Sequence, residues 1–331
     1  MNSWVYAGFT ETYKKLGVEF DKLYFESDTY LLGKDIIEEG VRRNVFYKKE
    51  DGSIWVDLTS RGLDHKLLLR KDGTSVYMTQ DLGTAQKRFD EFSAEKMIYV
   101  VGDEQNYHFQ ALFAMIDAYG ASYSKGLYHL SYGMVDLPEG KMKSREGNVV
   151  DADDLIDVVL KEASDAASER EVNDPDIIRK IGMAALKFFI VKVDPRKRMV
   201  FDPKASVDLQ GQTGPYIQNA YVRIQSILRK ANDTSYGLES YEPNQDEKLL
   251  LNMLCQCRQV IDSAVKEYNP ALIANYAYAL AKEYHRYYHE VKVIHAESAE
   301  AMSFRLKLIR IIGDNILNTM DLLGIEMPDR M

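Results

Sequence analysis

Cysteine is nearly absent: Cys255 and Cys257 are the only two in 331 residues. A single intervening residue suits neither a local disulfide nor a zinc knuckle, which takes two. A disulfide framework is thereby excluded, and a reduced, cytosolic setting is expected. Long apolar runs are missing as well. No stretch of about eighteen apolar residues occurs, so no membrane-spanning helix is expected. The start, MNSWVYAGFTETYKKLG, lacks the basic region and apolar core of a secretion signal. Positive charge is in the minority, with 42 Lys and Arg against 51 Asp and Glu, a net charge of -9. That balance excludes wholesale coating of nucleic acid, yet a local basic surface remains open. No internal repeat or long low-complexity tract appears.

What is present describes a soluble globular protein, 46% hydrophobic and 28% charged, long enough for two or three domains. Two regimes follow one another. Up to about residue 150, strand-like runs alternate with amphipathic patterns. LLLR (67–70), KMIYVVG (96–102) and LYHLSYGMV (127–135) read as strands; DLGTAQKRFDEF and QNYHFQALFAMIDAYG read as helices. This alternation predicts a parallel, doubly wound α/β sheet whose ligands sit beyond the carboxyl ends of the strands. From about residue 151 the pattern is helical, opening on the capping aspartates of DADDLIDVVLKEASDAA. Five long helices then follow as a predicted bundle, with Pro215, Pro243 and Pro270 near helix starts. The clearest loop is 231–245.

The stretch LPEGKMKSREGNVV (137–150) places Lys141, Lys143 and Arg145 between two glycines. It is not a Walker loop, because the glycine spacing is wrong and Met142 follows Lys141. A glycine-flexed loop with these cations can close over a polyphosphate and stabilise charge on leaving pyrophosphate. Read in isolation it is equally an exposed, solvated turn. The longer run HLSYGMVDLPEGKMKSREGNVVDADDL resembles the Lys-Met-Ser-Lys-Ser loop of class I aminoacyl-tRNA synthetases, and more narrowly that of arginyl-tRNA synthetases. RKDGTSVYMTQDLGTAQKRF (70–89) and IYVVGDEQNYHFQALF (98–113) look like that family's amino-acid pocket. TGPYIQNAYVRIQSILRK (213–230) looks like the helix opening its anticodon domain, and LLGIEMPDRM like its C-terminal end. Five such segments in family order make a specific signal. The resemblance implies the second half of a class I nucleotide-binding domain over 1–150, a helical connection over 151–212 and an anticodon-binding bundle over 213–331.

Arginine presents a planar, permanently charged guanidinium with five donors, so its site wants a carboxylate. Asp81 fits, with the Tyr77 ring one turn earlier and Gln105 beyond KMIYVVG. The resemblance implies these same three positions. The competing structural reading makes Asp81 a helix N-cap and Tyr77 a core aromatic. The resemblance also implies ATP contacts at Gly102 and His108, adenine contacts from the backbone at Met134 and Val135, and phosphate contact by Lys141. ATP with Mg2+ is expected as substrate, with no tightly bound cofactor. RNA contact is expected in the helical half, where residues 194–230 carry a local excess of cations: Arg196, Arg198, Tyr216, Arg223 and Arg229 are the candidates. Most tyrosines of that half are expected in the core. His285 and His289 share a helix face without a third ligand, so no metal site is expected.

One family element is lacking. No His-Ile-Gly-His-like tetrapeptide occurs, and the start resembles the middle of such an enzyme. The expectation is therefore a C-terminal portion, inactive in isolation. The expected partners are tRNA(Arg), arginine and ATP, and the expected state is a cytoplasmic monomer. Aligned on Lys141-Met142, the second signature lysine is replaced by Ser144, so its role falls to Lys143 or Arg145 or is absent. The alternatives are a class I synthetase for another amino acid and a non-catalytic tRNA-binding module. Arginine-dependent ATP–pyrophosphate exchange tests both expectations. Little exchange is expected from the chain alone. In an intact enzyme, Lys141→Ala should lower the activation rate more than arginine affinity, and equal loss of both would indicate a structural role.

Overall fold

The computed structural model describes residues 2–138, 151–168, 173–231 and 241–331. It divides into two compact units, Phe20–Met134 and a larger one joining Met1–Glu19 to Val135–Met331. The larger unit begins with helix α1 (Asn2–Leu16), tied to Asp153 by Thr12 and Lys15, which both donate to its carboxylate at 2.7 Å.

The smaller unit runs α2 (Glu26–Thr29), α3 (Lys34–Arg42), β1 (Phe46–Lys48), β2 (Ile54–Val56), β3 (Lys66–Leu69), α4 (Tyr77–Phe92), β4 (Met97–Gly102), α5 (Asn106–Tyr119) and β5 (Leu127–Tyr132). β4 and β5 pair in parallel from Met97↔Leu127 to Gly102↔Tyr132, with α5 as the crossover between them. The run at 67–70 does not join them. β3 pairs antiparallel with β2, and β2 with β1, in a separate three-stranded sheet. The antiparallel pairing of β3 with β2 departs from the expected single parallel sheet, and connection length accounts for its direction. Residues 57–65 are too few for a parallel crossover, which takes about a dozen, whereas an antiparallel return needs only a turn. A core of Ile37, Phe46, Val56, Leu68, Leu82, Leu112 and Met115 fills the unit. β4 turns Met97 inward and leaves Ile98 and Val100 44% and 62% exposed.

Two contacts fix where α4 starts and lies. Thr79, fully buried, accepts from the Val76 amide at 3.3 Å and donates to the Leu68 carbonyl of β3. Gly83 lies against the backbone of Leu32 and Gly33; a Cβ there would stand 2.3 Å from the Gly33 nitrogen. Gly33 itself has φ 89°, the left-handed region that favours glycine.

The larger unit continues with β6 (Val135–Asp136), α6 (Ala152–Ser168), α7 (Pro175–Val191), β7 (Met199–Val200), α8 (Pro203–Ser206), α9 (Gly214–Lys230), α10 (Gln245–Glu267), α11 (Ala271–Glu290) and α12 (Ala299–Leu322). β6 and β7 form a short parallel pair. Side chains cap several of these helices. Asp174, Asp202, Thr213, Asn244 and Ser298 each accept from amides of the following turn. Pro215 stands in the first turn of α9 and Pro270 at the N-cap of α11, as expected of prolines. Phe188, Ile217, Ile224, Leu280, Tyr284, Ile309, Ile312 and Ile316 form the bundle core of α7, α9, α11 and α12. Among the described residues no helix is long and apolar enough to cross a membrane.

Within this core lies a buried ion pair. Glu247 of α10 is 0% exposed and Arg305 of α12 5%. Glu247 accepts from Arg305 Nε, the Asn244 amide and the Tyr241 hydroxyl at 2.8 Å, and from the Tyr287 hydroxyl at 3.2 Å. Arg305 reaches further to Glu297 and to the Lys292 carbonyl. Removing Arg305 leaves the Glu247 charge buried without a counter-charge, at a cost of about 3–5 kcal/mol. Arg305→Ala should therefore lower the urea midpoint sharply. Arg258→Ala, which breaks an exposed pair with Asp262, should leave it unchanged. Equal effects would show that burial is not what gives the pair its weight.

Candidate functional site

In the smaller unit the residues expected to hold an amino acid gather at the start of α4 and the end of β4. Tyr77 is the first residue of α4 and 74% exposed, so it is not a core aromatic. Asp81 follows one turn later on the same face and is not an N-cap, since Val76 occupies that position. Gln105 closes a 3-10 turn, Asp103–Gln105, directly after β4, and is exposed. Gly102 ends β4 with an ordinary φ of -58°, and a Cβ there would meet the Tyr132 ring at 3.6 Å, normal contact. The backbone at 102 thus needs no glycine for its own conformation.

His108 stands in the first turn of α5, and its Nε2 lies 2.6 Å from Oδ2 of Asp81. Side-chain exposures are 25% for His108 and 43% for Asp81, so both are reachable from solvent. A carboxylate only accepts, which places the hydrogen on Nε2. The sequence alone gave no sign that these two residues meet. Met134 is half-buried after β5, at the end of the smaller unit, and Val135 opens β6 in the larger one. Lys141, Lys143 and Arg145 lie outside the described residues.

The RNA candidates of the larger unit separate into two groups. Three are engaged by the chain itself. Arg196 donates to the Glu267 carbonyl at 2.8 Å, Arg198 pairs with Asp136 at 3.2 Å, and Arg229 reaches the Asp329 carbonyl at 3.3 Å. Tyr216 and Arg223, one face of α9, instead line an open cleft of about 590 Å³ shared with α11. Lys282, His285, Arg286 and His289 form its other wall. Lys282 and Arg286 were not singled out in the sequence, although the 282/285/286/289 spacing puts all four on one helix face. Arg286 is held by Asp246, Glu283 and Glu290. The Arg223 guanidinium lies 4.5 Å from the centre of the Tyr288 ring. Of the other tyrosines, Tyr221, Tyr276, Tyr284 and Tyr287 are buried in the core, as expected.

His285 is hydrogen-bonded into this wall. Its Nδ1 stands 3.2 Å from Arg223 Nη1, its Nε2 3.5 Å from the Tyr216 carbonyl, and its ring edge-on to that of Tyr216. Arginine can only donate, so Nδ1 is the bare acceptor. Burial, reinforced by the Arg223 charge, pushes the imidazole down from 6.5 to about 4. Among the described residues no three His, Cys, Asp or Glu side chains gather as a metal-holding group.

Comparison with known proteins agrees with this architecture. Residues 8–202 match the family described as tRNA synthetases class I (R), catalytic domain, and residues 217–331 match the DALR anticodon binding domain. A curated arginine–tRNA ligase of Phocaeicola vulgatus is 52% identical, its match covering 100% of this chain and 57% of the relative. One from Parabacteroides distasonis is also 52% identical, with 100% and 58% covered. The chain thus spans little more than half the length of the curated relatives it matches. Among solved structures, Thermus thermophilus arginyl-tRNA synthetase superposes with a TM-score of 0.86 at 22% identity, covering 97% of this chain and 62% of that one. A Mycobacterium tuberculosis methionyl-tRNA synthetase gives 0.67 at 13% identity, covering 95% and 77%. At such identities these structures speak to the fold alone.

The environment of His285 has a measurable consequence. The unfolded imidazole binds a proton near 6.5, the folded one only near 4. Between these values the unfolded state holds more protons, so this group's contribution is complete above 6.5 and is lost as pH falls toward 4. The His285 ring-proton NMR shifts should titrate with a midpoint near 4, and a midpoint near 6.5 would show the ring free in water.

Proposed function

This chain belongs to the class I arginyl-tRNA synthetase family, and on that premise we propose that the protein carrying it activates arginine with ATP and esterifies tRNA(Arg). The observation that carries the reading is the exposed Tyr77–Asp81 face of α4 beside the end of β4. Asp81 accepts from the guanidinium, Tyr77 lies against it, and Gln105 adds a further hydrogen bond at the amino-acid end.

In the first step the arginine carboxylate attacks the α-phosphorus of ATP, giving arginyl-adenylate and pyrophosphate. In the second, a hydroxyl of the terminal tRNA ribose attacks the adenylate carbonyl and AMP leaves. Lys141, with Lys143 or Arg145, stabilises the charge gathering on pyrophosphate, and Mg2+ accompanies ATP as part of the substrate. Gly102, Met134 and Val135 contribute backbone groups to the nucleotide. Tyr216 and Arg223 receive the RNA in the cleft of α9 and α11, where an unstacked base finds a ring and a phosphate a cation. Arg196, Arg198 and Arg229 meet RNA only by exchanging their present partners. The proposed divisions are 1–150, 151–212 and 213–331, in a cytoplasmic monomer.

Calorimetry with arginine, lysine and citrulline tests the amino-acid reading. Arginine should bind at least about 100-fold tighter than citrulline, which leaves the Asp81 carboxylate without its cation. Asp81→Asn should abolish the arginine heat. No arginine heat with retained tRNA binding would instead support an RNA-binding module.

A further inference from the structure

We infer that His108 is a positioning residue of the amino-acid pocket, holding Oδ2 of Asp81 so that Oδ1 is the oxygen offered to a cationic side chain. The inference rests on the reading of Asp81 as the guanidinium acceptor, and it moves His108 away from the nucleotide.

The geometry is built to keep the donor in place. The next residue, Phe109, is buried, with its ring 4.4 Å from that of His129 and 5.2 Å from that of Tyr99. His129 in turn stands with Nε2 3.0 Å from the Val101 carbonyl, so the first turn of α5 is anchored to both β4 and β5. The acceptor is equally fixed, because Thr79 and Gly83 set the axial position of α4. Two anchored helices that share one core are thus linked at their solvent-facing edge by this hydrogen bond, made at 2.6 Å between side chains that solvent reaches.

A free carboxylate turns about its last torsion and meets any cation that arrives. Held at one oxygen, it presents a plane of fixed orientation. A planar guanidinium reads that orientation, whereas an ammonium, a compact point charge, does not. His108 thus acts on the choice between arginine and lysine, through Asp81 and without touching the substrate.

The test combines calorimetry with NMR on the full chain. His108→Ala should weaken arginine binding about tenfold while lysine and ATP affinities stay unchanged. His108→Gln, which returns an N–H near the Nε2 position, should recover most of the loss. Nitrogen-15 correlation spectra should show hydrogen on Nε2 of His108, and Asp81→Asn should shift that signal. A ring with hydrogen on Nδ1 alone overturns the inference even if a variant fails to fold. So does a His108→Ala protein that binds arginine normally, or one that loses ATP instead. If the unaltered chain binds no arginine but the Nε2 signal is as expected, the functional reading fails while the hydrogen bond stands.

Discussion

A carboxylate with no access to water must have its lone pairs met from within the protein, and Glu247 is met by four donors from three segments at once. Tyr241 and Asn244 precede α10, Tyr287 belongs to α11 and Arg305 to α12. An unmet buried charge costs several kcal/mol, so no arrangement that separates these segments competes well with this one. The constraint propagates outward. With Tyr287 drawn in toward Glu247, the opposite face of α11 is the one that carries Lys282, His285 and His289 to the cleft with α9. An interior charge thus bears on which cations face the cleft.

Local signals were legible and distant ones were not. The 3.6-residue periodicity and the caps at Asp174, Thr213, Asn244 and Ser298 are written in consecutive residues, and α7 and α9–α12 follow them closely. The strand at 66–69 was visible, but its partner was not, because pairing depends on connection length and on competition between edges. Tyr77 and Asp81 were legible as one helix face. The hydrogen bond from His108 to Asp81 joins residues 27 apart, and nothing in either neighbourhood announces it. The arginines tell the same story. Sequence counts charges, but only packing shows that Arg196, Arg198 and Arg229 are bonded to backbone or carboxylate partners while Arg223, bonded to His285, faces a cleft.

The architecture is shared with a synthetase for methionine, a neutral amino acid, so specificity cannot reside in the layering of helices and strands. It has to come from a few side chains set on rigid elements. α4 is such an element, pinned by Thr79 to β3 and by Gly83 to the turn before α3. Both contacts lie within one turn of Asp81. The anchoring of the helix and the side chains it presents to solvent are therefore held by different residues of α4.

The outward face of β4 bears on how the molecule behaves in crowded solution. Parallel strands are ordinarily covered on both sides, and Ile98 and Val100 are apolar side chains in water. Such a stripe invites sticking between molecules, and what opposes it is the long-range repulsion of a net charge of -9. Salt shortens that repulsion without touching the stripe. Ile98 and Val100 are then one of several exposed apolar patches, with Trp4, Leu23 and Val265 among the others, whose self-association is set by the ionic strength and not by how tightly the interior is packed.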